Sequence, residues 1–169
     1  MANTFSIIQS ATVGVGGAAG IEFGSIPQTY TDLLVVASLR GDAAVNAQIM
    51  RMKINGSTAN LSTRLIFGNA STASTASVAY LHVGNTGGTG TTANVFSSHT
   101  IYLPNYTGSH NKSINTEAAM ENNSMSDYVT ALTAGLWSQT AAITSVELYP
   151  DSGSFVQYSS ASLYGIKNS

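Results

Sequence analysis

The sequence predicts an all-β protein, a sandwich or a barrel, built around one core. Clusters of Gly, Asn, Ser and Thr recur along the chain, and the short segments between them alternate apolar and polar residues. Only 8% of the residues are charged, whereas 43% are apolar. A typical globular domain has about a quarter of its residues charged. The surface must therefore be built largely from neutral hydroxyl and amide side chains, which favours packing or binding over catalysis.

The first predicted strands are the clearest. Leu33–Leu39 is a short apolar run with β-branched residues, as expected for a strand covered on both faces. Ile49–Asn55 alternates with a period of two, and Met50, Met52 and Ile54 share one face. Asn55-Gly56 then supplies a hairpin-type turn, because both residues tolerate positive φ.

Later segments continue the pattern and bring the expected total to between eight and ten strands. Asn94–Leu103 ends at Pro104, which cannot donate a hydrogen bond to a neighbouring strand. The other predicted strands are Thr63–Phe67, Ser77–Val83, Tyr128–Trp137, Ile143–Tyr149 and Ser159–Ile166.

Ser113–Asn122 allows two interpretations. As a strand it places Ile114, Thr116, Ala118 and Met120 on one face. As a short helix it would place Glu117 and Glu121 four residues apart, where like charges repel. The strand is favoured.

Three segments of low complexity are predicted to be loops or hinges. Gly14–Gly20 comes early in the chain, and Asn69–Ser77 and Asn85–Asn94 flank one predicted strand. Such segments bury too little apolar surface to order themselves. Loops on a rigid β scaffold commonly carry recognition.

Length and charge limit the class of protein. A chain of 169 residues suits one domain, which we divide into an N-terminal arm or strand with a glycine-rich hinge (1–20) and a jelly-roll sandwich domain (21–169). The formal net charge of −2, with scattered basic residues, predicts binding neither to nucleic acid nor to a membrane. The start, MANTFSIIQS, lacks a basic region ahead of an apolar core, so we expect no secretory signal.

The titratable residues predict no enzyme, no metal site and no cofactor. His82, His99 and His110 lack the spacing of metal ligands, and we expect His82 and His99 to be core or interface histidines. The sequence contains no cysteine and no G-x-S-x-G nucleophile elbow.

Arg40-Gly41-Asp42 matches an adhesion tripeptide, but a tripeptide is frequent by chance. Gly-Asp after a strand is ordinary turn chemistry. We expect a hydrogen-bonded turn in which Arg40 pairs with a neighbouring carboxylate.

The eight tyrosines are more informative than the charges. A strand tyrosine packs its ring and presents its hydroxyl at the rim, which suits cores and protein contacts. The alternative is that exposed aromatic rings stack on sugars. For that alternative, the loop residues Tyr80, His82 and Asn85 are the predicted receptor-binding set.

The C-terminal third resembles modules of tailed-bacteriophage virion proteins, particularly those of marine and cyanobacterial phages. The ordered series AGLW, TAAITSV and FVQYSSASLYGI carries the resemblance, and the earlier segment IPQTYTDLLV is similar to the opening strand of that module. The resemblance extends from about Glu22 to Ile166. It implies a jelly-roll-like antiparallel β-sandwich on the particle surface, either a head decoration protein or a tail fibre or knob, with no catalytic residues.

The compact chain favours the head, so we expect a non-enzymatic capsid decoration, or cement, protein located on the virion surface. The implied partners are copies of itself, expected to form a trimer, and the major capsid protein. Phe5, Ile7 and Ile8 are the predicted anchoring residues of the arm. The alternative is a tail fibre or knob module, partnered with tail proteins, that recognises host glycans.

Overall fold

The computed structural model describes residues 4–69, 72–122 and 129–167. Within these ranges the chain forms twelve β-strands and no helix. The strands are β1 (Phe5–Thr12), β2 (Ile21–Phe23), β3 (Asp32–Leu39), β4 (Ala47–Ile54), β5 (Leu61–Asn69), β6 (Thr72–Val78), β7 (Leu81–Gly87), β8 (Ser97–Leu103), β9 (Lys112–Met120), β10 (Val129–Trp137), β11 (Val146–Pro150) and β12 (Ser160–Ile166).

The strands form two antiparallel sheets that pack as a sandwich, so the all-β prediction is confirmed. The larger sheet has the order β1-β12-β3-β8-β9-β10-β5-β6, and the smaller has the order β2-β11-β4-β7. The antiparallel pairs β1–β12, β2–β11, β3–β8 and β4–β7 are nested, and successive pairs alternate between the sheets. This wrapping is the jelly-roll arrangement.

Two hairpins extend the larger sheet beyond the jelly roll. β5–β6 is inserted between β4 and β7, and β9–β10 is inserted between β8 and β11. Together they add four strands beside β8 and leave β6 as the far edge. The larger sheet is therefore wider than the smaller sheet that covers it.

The core lies between the sheets and is built by strict alternation. In β3, Leu33 and Val35 point inward and are fully buried. Facing them in β4, Met50, Met52 and Ile54 are also fully buried. The two-residue period of the strands thus places one apolar face of each sheet in the core.

The segment Ser113–Asn122 is a strand rather than a helix. Residues 112–120 form β9 and alternate between buried and exposed side chains along their whole length. The strand is central, paired with β8 and β10. In this position Thr116 and Ala118 face the smaller sheet, as the alternation predicts.

The prediction of one strand over Ser77–Val83 is wrong. Ser77 and Val78 end β6, the chain bends at residues 79–80, and Leu81–Val83 begin β7 in the other sheet. The alternation in the sequence continues through the bend, so the pattern alone does not show the change of sheet.

The prediction of a loop over Asn69–Ser77 is also wrong where the structure describes it. Thr72–Ser77 belong to β6, an edge strand whose side chains are mostly exposed. Because neither face of β6 is deeply buried, it has no apolar alternation to reveal it. Asn85–Asn94 is a loop only after Gly87, where β7 ends.

Two strands begin three residues later than predicted. The strand expected over Ile143–Tyr149 begins at Val146, and the one expected from Asn94 begins at Ser97. Tyr128, the predicted start of β10, lies outside the described residues. Asn55-Gly56 does form a turn with φ of 51° and 71°, but it carries the chain from the smaller sheet to the larger one instead of closing a hairpin.

The N-terminal segment is part of the larger sheet. Phe5–Thr12 forms β1 and pairs with β12 along its length. The glycine-rich segment after it is fixed at Ala18, whose backbone exchanges hydrogen bonds of 3.0 and 2.7 Å with Phe155. Residues 5–12 therefore lie within the sandwich as its edge strand and do not form a separate arm.

Candidate functional site

The outward side of the larger sheet is a broad, nearly uncharged surface, which we call the outer face. One row of paired residues crosses it through all eight strands. The row is Ser10, Ser162, Val36, Thr100, Glu117, Leu132, Ile66 and Thr75. The strands of this sheet expose only two charged side chains, Glu117 and Arg64.

The apolar part of the outer face lies toward β6. Ile66 and Leu132 are adjacent partners in β5 and β10 and are 57% and 51% exposed. They border open depressions of about 540 and 470 Å³ on either side of β10. Large apolar side chains exposed side by side indicate a contact surface more than a single exposed residue does.

The three predicted anchors of the N-terminal segment do not point the same way. Phe5 and Ile7 lie on the outer face at its β1 edge and are 54% and 60% exposed. A bulge between Ile7 and Gln9 interrupts the alternation. Ile8 is therefore turned inward, where it packs against the core. Of the three, Phe5 and Ile7 are exposed and Ile8 is not.

The three predicted receptor residues do come together. Tyr80, His82 and Asn85 line a cavity of about 210 Å³ at the β6 side of the sandwich. We call this cavity the cleft. Its other lining residues are Ile49, Leu65, Phe67, Ala76 and Val78.

His82 is a neutral member of the cleft. Its Nδ1 accepts a hydrogen bond of 3.1 Å from the Gly84 N–H, so its proton is on Nε2. The pKa of His82 is lowered from 6.5 to about 4, chiefly by burial and also by the Arg51 charge, while Asp151 acts in the opposite direction. The imidazole therefore offers one N–H donor and no positive charge at neutral pH.

Tyr80 forms the rim of the cleft. The Arg51 guanidinium carbon lies 4.1 Å from the centre of the Tyr80 ring, a cation–π distance. The Arg51 Nε is buried without a hydrogen-bond partner among the described residues. This stacking holds the ring in place at the mouth of the cleft.

His99 is a core histidine. It is fully buried, its Nδ1 lies 2.9 Å from the Val83 carbonyl oxygen, and its Nε2 lies 2.7 Å from the Ser97 hydroxyl. Because the carbonyl only accepts, Nδ1 carries the proton. The Ser97 hydroxyl lies within hydrogen-bond distance of both His99 Nε2 and the Leu39 carbonyl oxygen, and its single proton serves one of them at a time. Burial lowers the pKa of His99 to about 4. His110 is exposed at the surface, away from this pair.

Arg40 does not pair with a carboxylate, so that prediction is wrong. Its guanidinium is buried and donates to the carbonyl oxygens of Gly88, Thr92 and Val95 at 2.8–3.0 Å. Burial lowers its pKa. The expected turn at Arg40-Gly41-Asp42 is not found either: Gly41 forms an antiparallel bridge with Phe155, and the Asp42 carboxylate accepts the Ser154 N–H at 2.7 Å. Arg40 thus fixes the loop after β7 by hydrogen bonds to its carbonyl groups.

Lys112 is a second buried cation surrounded by carbonyl groups. Its ammonium donates to the carbonyl oxygens of Gly108 and Ala141 at 2.7 and 2.5 Å. Neither buried cation lies on the outer face or in the cleft, so both are structural. In the described residues no three His, Asp or Glu side chains are grouped as metal ligands. Those residues also form no helix long and apolar enough to cross a bilayer.

Sequence reasoning did not identify the outer face as a surface. Each of its exposed apolar residues alternates with buried ones in its own strand, so the sequence offers no local signal. Only the register across strands brings Ile66 and Leu132 together. No protein-family model matches this chain, and a search of curated proteins found no match.

Proposed function

We propose that the protein is a non-enzymatic structural protein of a tailed-bacteriophage particle, a decoration protein that binds the head surface as a homo-oligomer. The observation that carries the proposal is the outer face, a wide sheet surface with two exposed charges and an apolar patch at Ile66 and Leu132 on its β6 side. The assignment to a phage particle rests on the resemblance of the C-terminal third to phage virion modules.

The mechanism is adhesion by burial of neutral surface. Hydroxyl and aliphatic side chains are moved out of water at a smaller cost than charged ones. Each Å² of apolar surface buried stabilises the contact by about 25 cal/mol. A shell that presents its binding site many times would be reinforced by many such contacts.

A charge placed in this apolar patch tests the proposal. Leu132→Glu introduces a carboxylate where the contact would be driest, and we expect occupancy on purified heads lacking the protein to fall at least tenfold. Val15→Glu is the matched control, because Val15 is 88% exposed but lies outside the sheet. Equal binding by both variants and the wild type would exclude the outer face as the contact.

The predicted anchors call for a milder test than deletion. Removing residues 1–20 would remove β1 and expose the edge of β12, so loss of binding would not be informative. Phe5→Ser and Ile7→Ser alter only exposed side chains of β1. Reduced occupancy with an unchanged unfolding midpoint would support these two residues as anchors, and full occupancy would exclude them.

The cleft favours a second candidate function, host recognition by a tail-associated module. Tyr80, His82 and Asn85 combine an aromatic ring with neutral donors and acceptors, as glycan sites do. Copy number separates the two: hundreds of copies per virion indicate the head, and a few dozen or fewer indicate the tail. Specific glycan binding that is lost in Asn85→Ala would support the second candidate.

A further inference from the structure

Tyr158 occupies a backbone conformation that tyrosine rarely adopts. It is the third residue of the turn Val156–Ser159, closed by a 3.2 Å hydrogen bond from the Ser159 N–H to the Val156 carbonyl. Its φ is 73°. Turns with positive φ at this position favour Gly or Asn, and a bulky residue there is an outlier.

The surrounding backbone holds Tyr158 in this conformation. Its N–H donates to the Val13 carbonyl at 3.0 Å, and the Val13 N–H donates to the Ser159 carbonyl at 2.8 Å. The Tyr158 side chain nevertheless packs little against the rest of the protein, since the residue is 69% exposed. Strain that is maintained around an exposed aromatic ring points to a contact outside the chain.

The cleft has the size and chemistry to receive such a ring. At about 210 Å³ it is smaller than the sites of drug-sized ligands, which begin near 300 Å³. Aliphatic and aromatic side chains form most of its lining, and the Nε2–H of His82 and the amide of Asn85 supply polar groups. A phenol ring with one hydroxyl matches this combination.

The ring and the cleft lie at opposite edges of the larger sheet. Tyr158 is hydrogen-bonded to the end of β1, one edge strand, and the cleft is lined by β6, the other. Eight strands at about 4.8 Å spacing separate the edges by roughly 30 Å. One copy cannot fill its own cleft, but a second copy placed beside it can.

We propose that Tyr158 of one copy inserts into the cleft of a second copy, so that copies join head to tail. The Tyr158 ring and the residues that line the cleft carry no charge, and the Arg51 guanidinium beside the rim is stacked on the Tyr80 ring. The hydroxyl accepts from His82 Nε2–H and pairs with Asn85, while the ring packs on Val78 and Phe67. This inference rests on the homo-oligomer in the proposed function and names its contact. Contacts of this heterologous kind close into rings when the rotation between copies permits.

Tyr158→Gly is the sharpest test, because it removes the ring and relieves the strained backbone together. We expect sedimentation velocity to show the wild type as an oligomer and Tyr158→Gly as a monomer. The thermal midpoint of the variant monomer should not fall, since glycine adopts positive φ freely. Tyr158→Asn serves as a second variant, and Val15→Ala is the control for loss of an exposed apolar side chain, because Val15 is 88% exposed. A monomeric wild type, or an oligomeric Tyr158→Gly, overturns the inference.

The cleft is tested from the other side by filling it. Ala76→Trp places a ring inside the cleft and should abolish assembly, whereas Thr75→Trp points to the outer face of the same strand and should leave it intact. Assembly that survives Ala76→Trp overturns the inference. Binding to phage heads is measured in a separate experiment. A protein that assembles through Tyr158 but does not bind heads would contradict the proposed function and leave this inference intact.

Discussion

The Lys112 ammonium lies 5.4 Å from the centre of the Trp137 ring, its partner across the β9–β10 register. The lysine begins β9 and the tryptophan ends β10, so the pair closes one end of this hairpin. The carbonyl groups that accept from the lysine come from the loops beside it, at Gly108 and Ala141. A cation enclosed by an aromatic ring and carbonyl dipoles thus replaces an ion pair.

Replacing this cation should destabilise the fold. Lys112→Met keeps the side-chain length but leaves the part-buried carbonyl groups of Gly108 and Ala141 without this donor, and we expect the free energy of unfolding to fall by about 1 kcal/mol. Urea denaturation measures the change, and Lys167→Met, at an exposed residue, is the control. A methionine variant as stable as the wild type would show that the carbonyls are satisfied in another way.

Arg40 should be needed for the order of the loop after β7. Arg40→Lys keeps the charge but cannot reach Gly88, Thr92 and Val95 simultaneously, because an ammonium lacks the spread of a guanidinium. We expect faster amide hydrogen exchange across residues 88–95, and a loss of about 2 kcal/mol in stability. Arg64→Lys, at an exposed residue of β5, should change neither, and unchanged exchange in Arg40→Lys would contradict the assignment.

Acid should destabilise the protein through two histidines. His82 and His99 have folded pKa values of about 4 against 6.5 for the ordinary side chain, chiefly because of burial. The unfolded chain therefore binds more protons between these values, and stability falls as the pH drops from 6.5 toward 4. Each histidine should contribute a loss of about 2 kcal/mol at pH 5.

Chemical denaturation at pH 7.5, 6 and 5 measures this loss. The exposed His110 provides the control, since His110→Gln should keep the full pH dependence, whereas His99→Gln should weaken it. A free energy of unfolding that is constant from pH 7.5 to 5 would mean that neither imidazole is buried as described.

Gly84 should tolerate no side chain. Its φ is 113°, and an added Cβ would lie 2.2 Å from the Ala118 Cβ and 3.0 Å from the His99 Nδ1. Gly84→Ala combines backbone strain with a clash between the sheets, so we expect a loss of about 3 kcal/mol. Gly14→Ala meets no atom within 4 Å and should be nearly neutral. Comparable thermal midpoints for the two variants would contradict this packing.

The strands that the sequence reveals are those with one buried and one exposed face. β4 and β9 follow their predicted alternation because each residue's environment is set by the pleat alone. The sequence does not predict β6, because this edge strand consists mainly of small residues and its composition resembles that of a loop. The sequence also does not predict the bend at residues 79–80, because the apolar–polar alternation continues from β6 into β7 although the chain changes sheets.

The candidate site is only partly predictable for a similar reason. Tyr80, His82 and Asn85 are near in sequence, so their grouping could be expected from one loop and strand. The opposite wall of the cleft, with Leu65 and Phe67, depends on how β5 lies over β7. The partners of Arg40 are carbonyl groups about fifty residues away, and backbone acceptors leave no mark in a sequence.

The pairing of β1 with β12 has a consequence for how the molecule is made. β12 lies between β1 and β3, so the earliest strand has no neighbour until the latest one has been synthesised. β1 ends at Thr12 and β12 begins at Ser160, so about 150 residues are synthesised before β1 can pair. Strand pairings so distant in sequence fold slowly, over milliseconds to seconds, and this interval is when a nascent chain most needs protection from its neighbours.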